Sequence, residues 1–162
     1  MTKLTERVSA ALLKLGERSP SGFAIAMDIE LSTPGYLFQT YPDAWLKEYS
    51  TKGYVLQDAT VAWGMTNEGS CRWSDLIGND PAGVFDAAAA YGMRFGIVFA
   101  YLKDGKRTIA SFSRPEREFS AEEALDLSAG LADLHQLLSG QEVPDLDEIR
   151  KIRAISVALS HG

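Results

Sequence analysis

The tetrapeptide Lys103-Asp104-Gly105-Lys106 constrains this chain most, because apolar runs flank it on both sides, Phe95–Leu102 before and 107–113 after. Asp-Gly between two such runs marks a two-residue hairpin, since a type I′ turn needs positive φ at both central residues. An antiparallel pair at residues 95–113 makes an all-helical fold untenable. Helical patterns on both sides of it then make the chain α+β, with strands joined by short turns rather than by βαβ crossovers.

The other elements follow from periodicity and punctuation. Leu4, Val8, Ala11, Leu12 and Leu15 recur at helical spacing over residues 2–15, and Gly16 stops the run. Ser19-Pro20-Ser21-Gly22 is a turn before a short apolar strand, Phe23–Ile29; Ser32-Thr33-Pro34-Gly35 punctuates again before a second strand at Tyr36–Phe38. Pro42 fits the first turn of a helix reaching Thr51. Over residues 53–80 no period persists, and the segment reads as a long structured loop with short helical or strand pieces, a kind of loop that is commonly functional. Asp80-Pro81 opens a helix through Tyr91. Ser120-Ala121-Glu122-Glu123 is a capping box ahead of Ala124, Leu127, Leu131, Leu134 and Leu138, ended by Ser139-Gly140. Pro144 opens a last helix carrying Leu146, Ile149, Ile152, Ile155 and Leu159, an apolar stripe that must pack on its own domain or on a partner.

Composition excludes several classes of function. With 16 Lys+Arg against 22 Asp+Glu the chain carries a net charge of −6, a poor balance for gripping a phosphate backbone. The single Cys71 rules out an internal disulfide framework and a cysteine-based zinc cluster. No apolar run reaches the roughly 18–20 residues of a membrane span, and the amphipathic start does not read as a signal peptide, so a cytoplasmic location is expected. Residues for catalysis are few. His135 lies within a leucine-rich helix, His161 is a solvated residue next to the end, and Cys71 has only Arg72 as a local cation. No phosphate-binding glycine motif occurs. The chain reads as a non-enzyme without metal or cofactor.

The aromatic segment is a different matter. Tyr41, Trp45, Tyr49, Tyr54, Trp63 and Trp73 fall within 33 residues and include all three tryptophans. Tyr41, Trp45 and Tyr49, four apart, line one side of a helix and the turn before it, each with a polar handle on an apolar body. Such a set suits a pocket for a mixed polar–apolar small molecule, or else a core aromatic cluster with Asp58 capping a local turn.

The pattern Tyr41-Pro42-x-x-Trp45-x-x-x-Tyr49, then Gly53-Tyr54, Asp58-x-Thr60-Val61 and Trp73, resembles the autoinducer-binding domain of LuxR-type quorum-sensing regulators. The register continues through Phe85–Gly92, the Gly92-x-x-x-Gly96 pair and Ser111, and covers residues 1–140. The resemblance implies an α–β–α sandwich, a central antiparallel sheet flanked by helices, that binds an N-acyl-homoserine lactone. Carried over, it implies that Trp45 donates to the lactone carbonyl and Asp58 accepts from the ligand amide. Tyr41 and Ser111 would donate to the acyl carbonyl, with Trp73 and Tyr49 packed on the lactone ring and first acyl carbons. Val61, Phe85, Ala88 and Met93 would form the pocket wall.

Two departures stand out. Ala59 occupies the place of the proline that usually follows the aspartate, which loosens the turn presenting Asp58. Beyond Leu138 only 24 residues follow, with three basic side chains, Arg150, Lys151 and Arg153, too few for a helix-turn-helix unit. Residues 141–162 are therefore expected to be a linker and helix, in a sensor truncated or naturally lacking its DNA-binding domain. Its partners would be the autoinducer and, as a homodimer or heterodimer, a second copy or a full-length regulator, with no nucleic acid and no membrane. Two alternatives stay open: an interaction or dimerisation module with a vestigial pocket, and a sensor of a different small apolar amide or aryl signal.

Overall fold

The computed structural model describes residues 3–29, 35–139 and 146–161. Five strands, β1 (Gly22–Ile29), β2 (Tyr36–Gln39), β3 (Gly69–Arg72), β4 (Phe95–Lys103) and β5 (Lys106–Arg114), form one antiparallel sheet in the order β2-β1-β5-β4-β3. The β4–β5 hairpin turns as expected at Lys103↔Lys106, with positive φ at Asp104 (54°) and Gly105 (75°), the pair a type I′ turn requires.

Alternation along the strands divides the sheet into two chemically different faces. Phe23, Ile25 and Met27 of β1, Phe38 of β2, Ile97 and Phe99 of β4 and Phe112 of β5 are buried on one face. Against them pack α1 (Lys3–Glu17), α5 (Ala121–Leu138) and α6 (Leu146–His161), through Val8, Leu12, Leu15, Leu127, Leu131, Leu134 and Ile152. Each large apolar side chain buried in this layer contributes roughly 1.5–3 kcal/mol. The capping box at the start of α5 is formed by Ser120 and Glu123, and the Glu123 carboxylate also pairs with Arg114 at 2.7 Å.

The opposite face carries Ala24 and Ala26 of β1 and Ile109 and Ser111 of β5. These residues are small, apart from Ile109, and the sheet on this side is not filled by its own side chains. Strict alternation would add Asp28 to this face. A bulge between Ala26 and Ile29, with Asp28 at φ 55°, turns Ile29 onto it instead. Three short helices cover this face: α2 (Asp43–Thr51), α3 (Ala59–Thr66) and α4 (Val84–Ala89). The result is the α–β–α sandwich.

Residues 53–80 hold the short helical and strand pieces expected there: the eight-residue α3, the strand β3 and single 3-10 turns at Tyr54–Leu56, Trp73–Asp75 and Ile77–Asn79. Periodicity could not find α3, because this helix is apolar on all sides. The helix placed at Asp80–Tyr91 is shorter. Residues 80–83 form a turn with Gly83 at φ 71°, and the Asp80 carboxylate reaches forward to accept from the Val84 and Phe85 amides, both at 2.9 Å. Pro42 stands one residue before α2 rather than in its first turn.

In α6, Ile152 is fully buried against α1 and β2, whereas Leu146 is exposed, and Arg153 donates to the Gly35 carbonyl at 3.1 Å. The helix therefore packs on its own domain. Thr2, residues 32–34, Gly140, Pro144 and the side chains of Leu159 and His161 lie outside the described residues.

Candidate functional site

Between the small-residue face of the sheet and helices α2, α3 and α4 lies a cavity of about 650 Å³. That volume is within the roughly 300–1,000 Å³ range of small-molecule sites. All ten residues singled out from the sequence border it: Tyr41, Trp45, Tyr49, Asp58, Trp73 and Ser111, with Val61, Phe85, Ala88 and Met93.

Trp45 is buried in a nest of rings, 5.7 Å from both Tyr49 and Tyr54 and 5.6 Å from Tyr91. Tyr54 and Tyr91 both donate to the Glu48 carboxylate, at 3.2 and 2.8 Å, which ties α2 to the end of α4. The bond from Tyr91, followed by that from Tyr54 and the charge of Lys52, holds the Glu48 carboxyl below the usual carboxylate range. Among the described residues no group accepts from the Trp45 indole N–H, which leaves a donor on the cavity wall.

Asp58 is the N-cap of α3. Its Oδ1 accepts from the Thr60 amide (2.9 Å) and hydroxyl (2.7 Å), and its Oδ2 accepts from the Tyr49 hydroxyl (2.8 Å). These bonds answer the loss of the usual proline: Ala59 begins the helix, and Thr60 fixes the carboxylate from the next position. An ionised carboxylate has about four acceptor positions. Three are taken, so Asp58 can accept one more N–H, on Oδ2. Burial, then the neighbouring Asp58 charge, pushes the Tyr49 phenol far above its usual range, and burial does the same to Tyr41. Both are protonated donors at neutral pH.

Ser111 gathers two of the expected site residues around it. The Trp73 indole donates to Ser111 Oγ at 2.8 Å, and the Tyr41 hydroxyl donates to the Ser111 backbone carbonyl at 3.1 Å. The Tyr41 hydroxyl is thus engaged by both the backbone carbonyl and the side chain of Ser111. The Ser111 hydroxyl borders the cavity beside the Tyr41 hydroxyl. Trp73 lies flat over β4 because Gly96 is beneath it; a Cβ there would fall inside the indole.

Sequence reasoning missed much of the apolar wall. Ala24, Ala26, Ile29, Leu37, Leu46 and Met65 border the cavity, as do Thr60 and Ile109. The alternation Phe23-Ala24-Ile25-Ala26-Met27, large residues one way and small the other, is the signal that would have found the β1 contribution. Among the described residues no cluster of His, Cys, Asp or Glu is arranged to hold a metal ion, and no helix is long and apolar enough to cross a membrane.

Residues 22–139 match the family described as the autoinducer binding domain. The transcriptional activator protein SolR of Ralstonia nicotianae is 27% identical over 130 residues, covering 76% of this chain and 55% of that protein. The regulatory protein SdiA of Escherichia coli is 31% identical over 89 residues, covering 53% and 37%. The chain thus spans about half the length of the curated relatives it matches. Among solved structures, E. coli SdiA superposes with a TM-score of 0.67 at 19% identity, covering 91% of this chain and 67% of that one. SdiA in complex with octanoyl-rac-glycerol gives 0.66 at 18% identity, covering 99% and 79%. CepR2 of Burkholderia cenocepacia, described as an N-acylhomoserine-lactone-dependent LuxR-family transcription factor, gives 0.60 at 15% identity, covering 83% and 91%. At these identities the structural likeness speaks to fold alone, but the family match spans most of the chain. The protein belongs to the autoinducer-binding domain family of LuxR-type quorum-sensing regulators.

Proposed function

We propose that this domain senses an N-acyl-homoserine lactone. The observation that carries the reading is the polar inventory of the cavity wall: one open acceptor position on Asp58 Oδ2, the unpaired indole donor of Trp45, and the Ser111 hydroxyl, a neutral group that can turn its proton from Tyr41 to a ligand. An acyl-homoserine lactone is uncharged, with one amide N–H, carbonyl acceptors at both ends of its head and an apolar tail. The amide would donate to Asp58, and the lactone and acyl carbonyls would accept from Trp45 and Ser111. Trp73 and Tyr49 would pack against the ring and first carbons, with Val61, Phe85, Ala88 and Met93 against the chain. A wrong head group would leave one of these polar groups unpaired, at about 1–3 kcal/mol each.

Thermal denaturation with a panel of N-acyl-homoserine lactones tests this. A ligand at a hundredfold excess over its Kd stabilises by about 2.7 kcal/mol, a rise in Tm of about 5–10 °C for a domain of this size. Trp45→Phe and Asp58→Asn should each reduce that rise. No shift with any lactone would sink the reading.

A second reading has one specific observation in its favour. SdiA is solved with octanoyl-rac-glycerol, an ester without an amide. A larger stabilisation by that ester than by the octanoyl lactone would move the assignment to a sensor of a different small amphiphile. A pocket-less interaction module is the weaker alternative, because the cavity is unfilled and α6 buries Ile152 at home. Pairing with a second copy or with a full-length regulator, in the cytoplasm, completes the proposal, and sedimentation with and without lactone would detect it.

A further inference from the structure

Asp58 and Ser111 mark the polar end of the cavity, and strand register locates the other end. Ala24 stands opposite Gln39 and Ser111; two residues on, Ala26 stands opposite Leu37 and Ile109. That is about 7 Å farther along the sheet. Helix α3 runs the same way: Asp58 caps its start, while Gly64 rests against the Ile109 side chain and its carbonyl accepts from Arg107 at 2.7 Å. From Asp58 to Met65 the helix advances about 10 Å.

The wall meets water beside Asp58, where Val55 and Leu56 are exposed, and again at this far, apolar end. Leu37 and Met65 border the cavity yet are 38% and 37% exposed, and Ala62, one turn back on α3, is exposed as well. A helix as uniformly apolar as α3 is ordinarily buried on every side. Here the exposed residues are Ala62, Met65 and Thr66, of which Ala62 and Met65 continue the cavity wall that Leu37 of the edge strand β2 also borders.

We infer that the apolar end of the cavity is an open mouth between α3 and β2, occupied by the far end of the ligand's hydrocarbon tail. The domain then selects its ligand by the head group and sets no upper limit on tail length. This rests on the lactone reading above. A closed pocket rejects a tail one methylene too long, because overpacking strains its walls. An open mouth lets the excess chain lie across Met65 and Leu37 toward solvent.

Calorimetric affinities of the wild-type chain for the hexanoyl to tetradecanoyl lactones, and for an octanoyl lactone with a fluorescent group at the chain terminus, test this. Affinity should rise about fourfold per added methylene until the cavity is filled. It should then stay within about twofold through the tetradecanoyl compound, with the terminally tagged lactone bound within about tenfold of its parent. Ala62→Trp, at an exposed site, should convert the plateau into a cut-off, and Leu37→Trp at the opposite lip should do the same. A sharp loss of affinity beyond one chain length in the wild type, rejection of the tagged lactone, or an unaltered plateau in both variants would overturn the mouth while leaving the lactone reading intact. Failure of every lactone, the hexanoyl and octanoyl included, would overturn both.

Discussion

The Trp73 indole donates its proton to Ser111 Oγ at 2.8 Å, with both side chains on the cavity wall. A serine hydroxyl that accepts from one side aims its own proton to the other, toward the Tyr41 oxygen or a group in the cavity. Trp73 thereby orients a donor, in addition to any surface it offers a ligand. Trp73→Phe should weaken octanoyl-homoserine lactone binding by about 1–2 kcal/mol, roughly tenfold in Kd. The same substitution in a Ser111→Ala background should cost markedly less. Calorimetry on the four-member cycle measures the coupling; additive losses would mean that Trp73 acts only through its surface.

Gly96 makes that arrangement possible. A Cβ at this position would enter the indole of Trp73, and β4 cannot retreat because it is paired on both sides. Gly96→Ala should destabilise the fold by about 1–3 kcal/mol in urea denaturation and displace Trp73. The near-ultraviolet dichroism of the tryptophans would report that displacement.

Asp58→Asn should separate binding from stability. Asparagine caps a helix about as well as aspartate, so α3 survives and global stability changes by less than about 1 kcal/mol. With the amide oxygen held by Thr60, however, the nitrogen faces the place where a ligand N–H would donate. Two donors then meet, and lactone affinity should fall at least tenfold while denaturation midpoints barely move.

Glu48 predicts a pH dependence. Its carboxyl is held below the usual range chiefly by the bond from Tyr91, so the folded state binds the proton less readily than the unfolded chain does. Its contribution is complete above the ordinary carboxylate pKa and fades as the pH falls through the depressed value. Glu48→Gln should therefore lower Tm at neutral pH and flatten the decline in acid, the two curves converging at low pH. Parallel curves would contradict the assignment.

Much of the site was legible in the sequence because its polar residues are large, unusual and closely spaced. Trp45 and Trp73 declare themselves as aromatics, the Asp-Gly turn placed Ser111 in a strand, and the family resemblance brought Ser111 and Asp58 to the same site. The apolar end was not legible. Ala24 and Ala26 contribute by being small, Ile29 reaches the cavity only through a bulge, and Met65 belongs to a helix too uniformly apolar to show a period. The hydrogen-bond directions were hidden for another reason. Tyr41 and Ser111 are 70 residues apart in the chain, and which group receives each proton is settled by packing, which spacing does not encode.

Donation from the Trp45 indole and the Ser111 hydroxyl to a lactone's carbonyls, as proposed above, is tested most directly by the indole proton resonances of the three tryptophans in a ¹⁵N-correlated NMR spectrum. On titration with octanoyl-homoserine lactone, the Trp45 Nε1–H signal should move downfield as it gains an acceptor, while the Trp73 signal, already bonded to Ser111, should move far less. A saturated complex in which the Trp45 signal keeps its position, or the absence of any spectral change, would contradict the account.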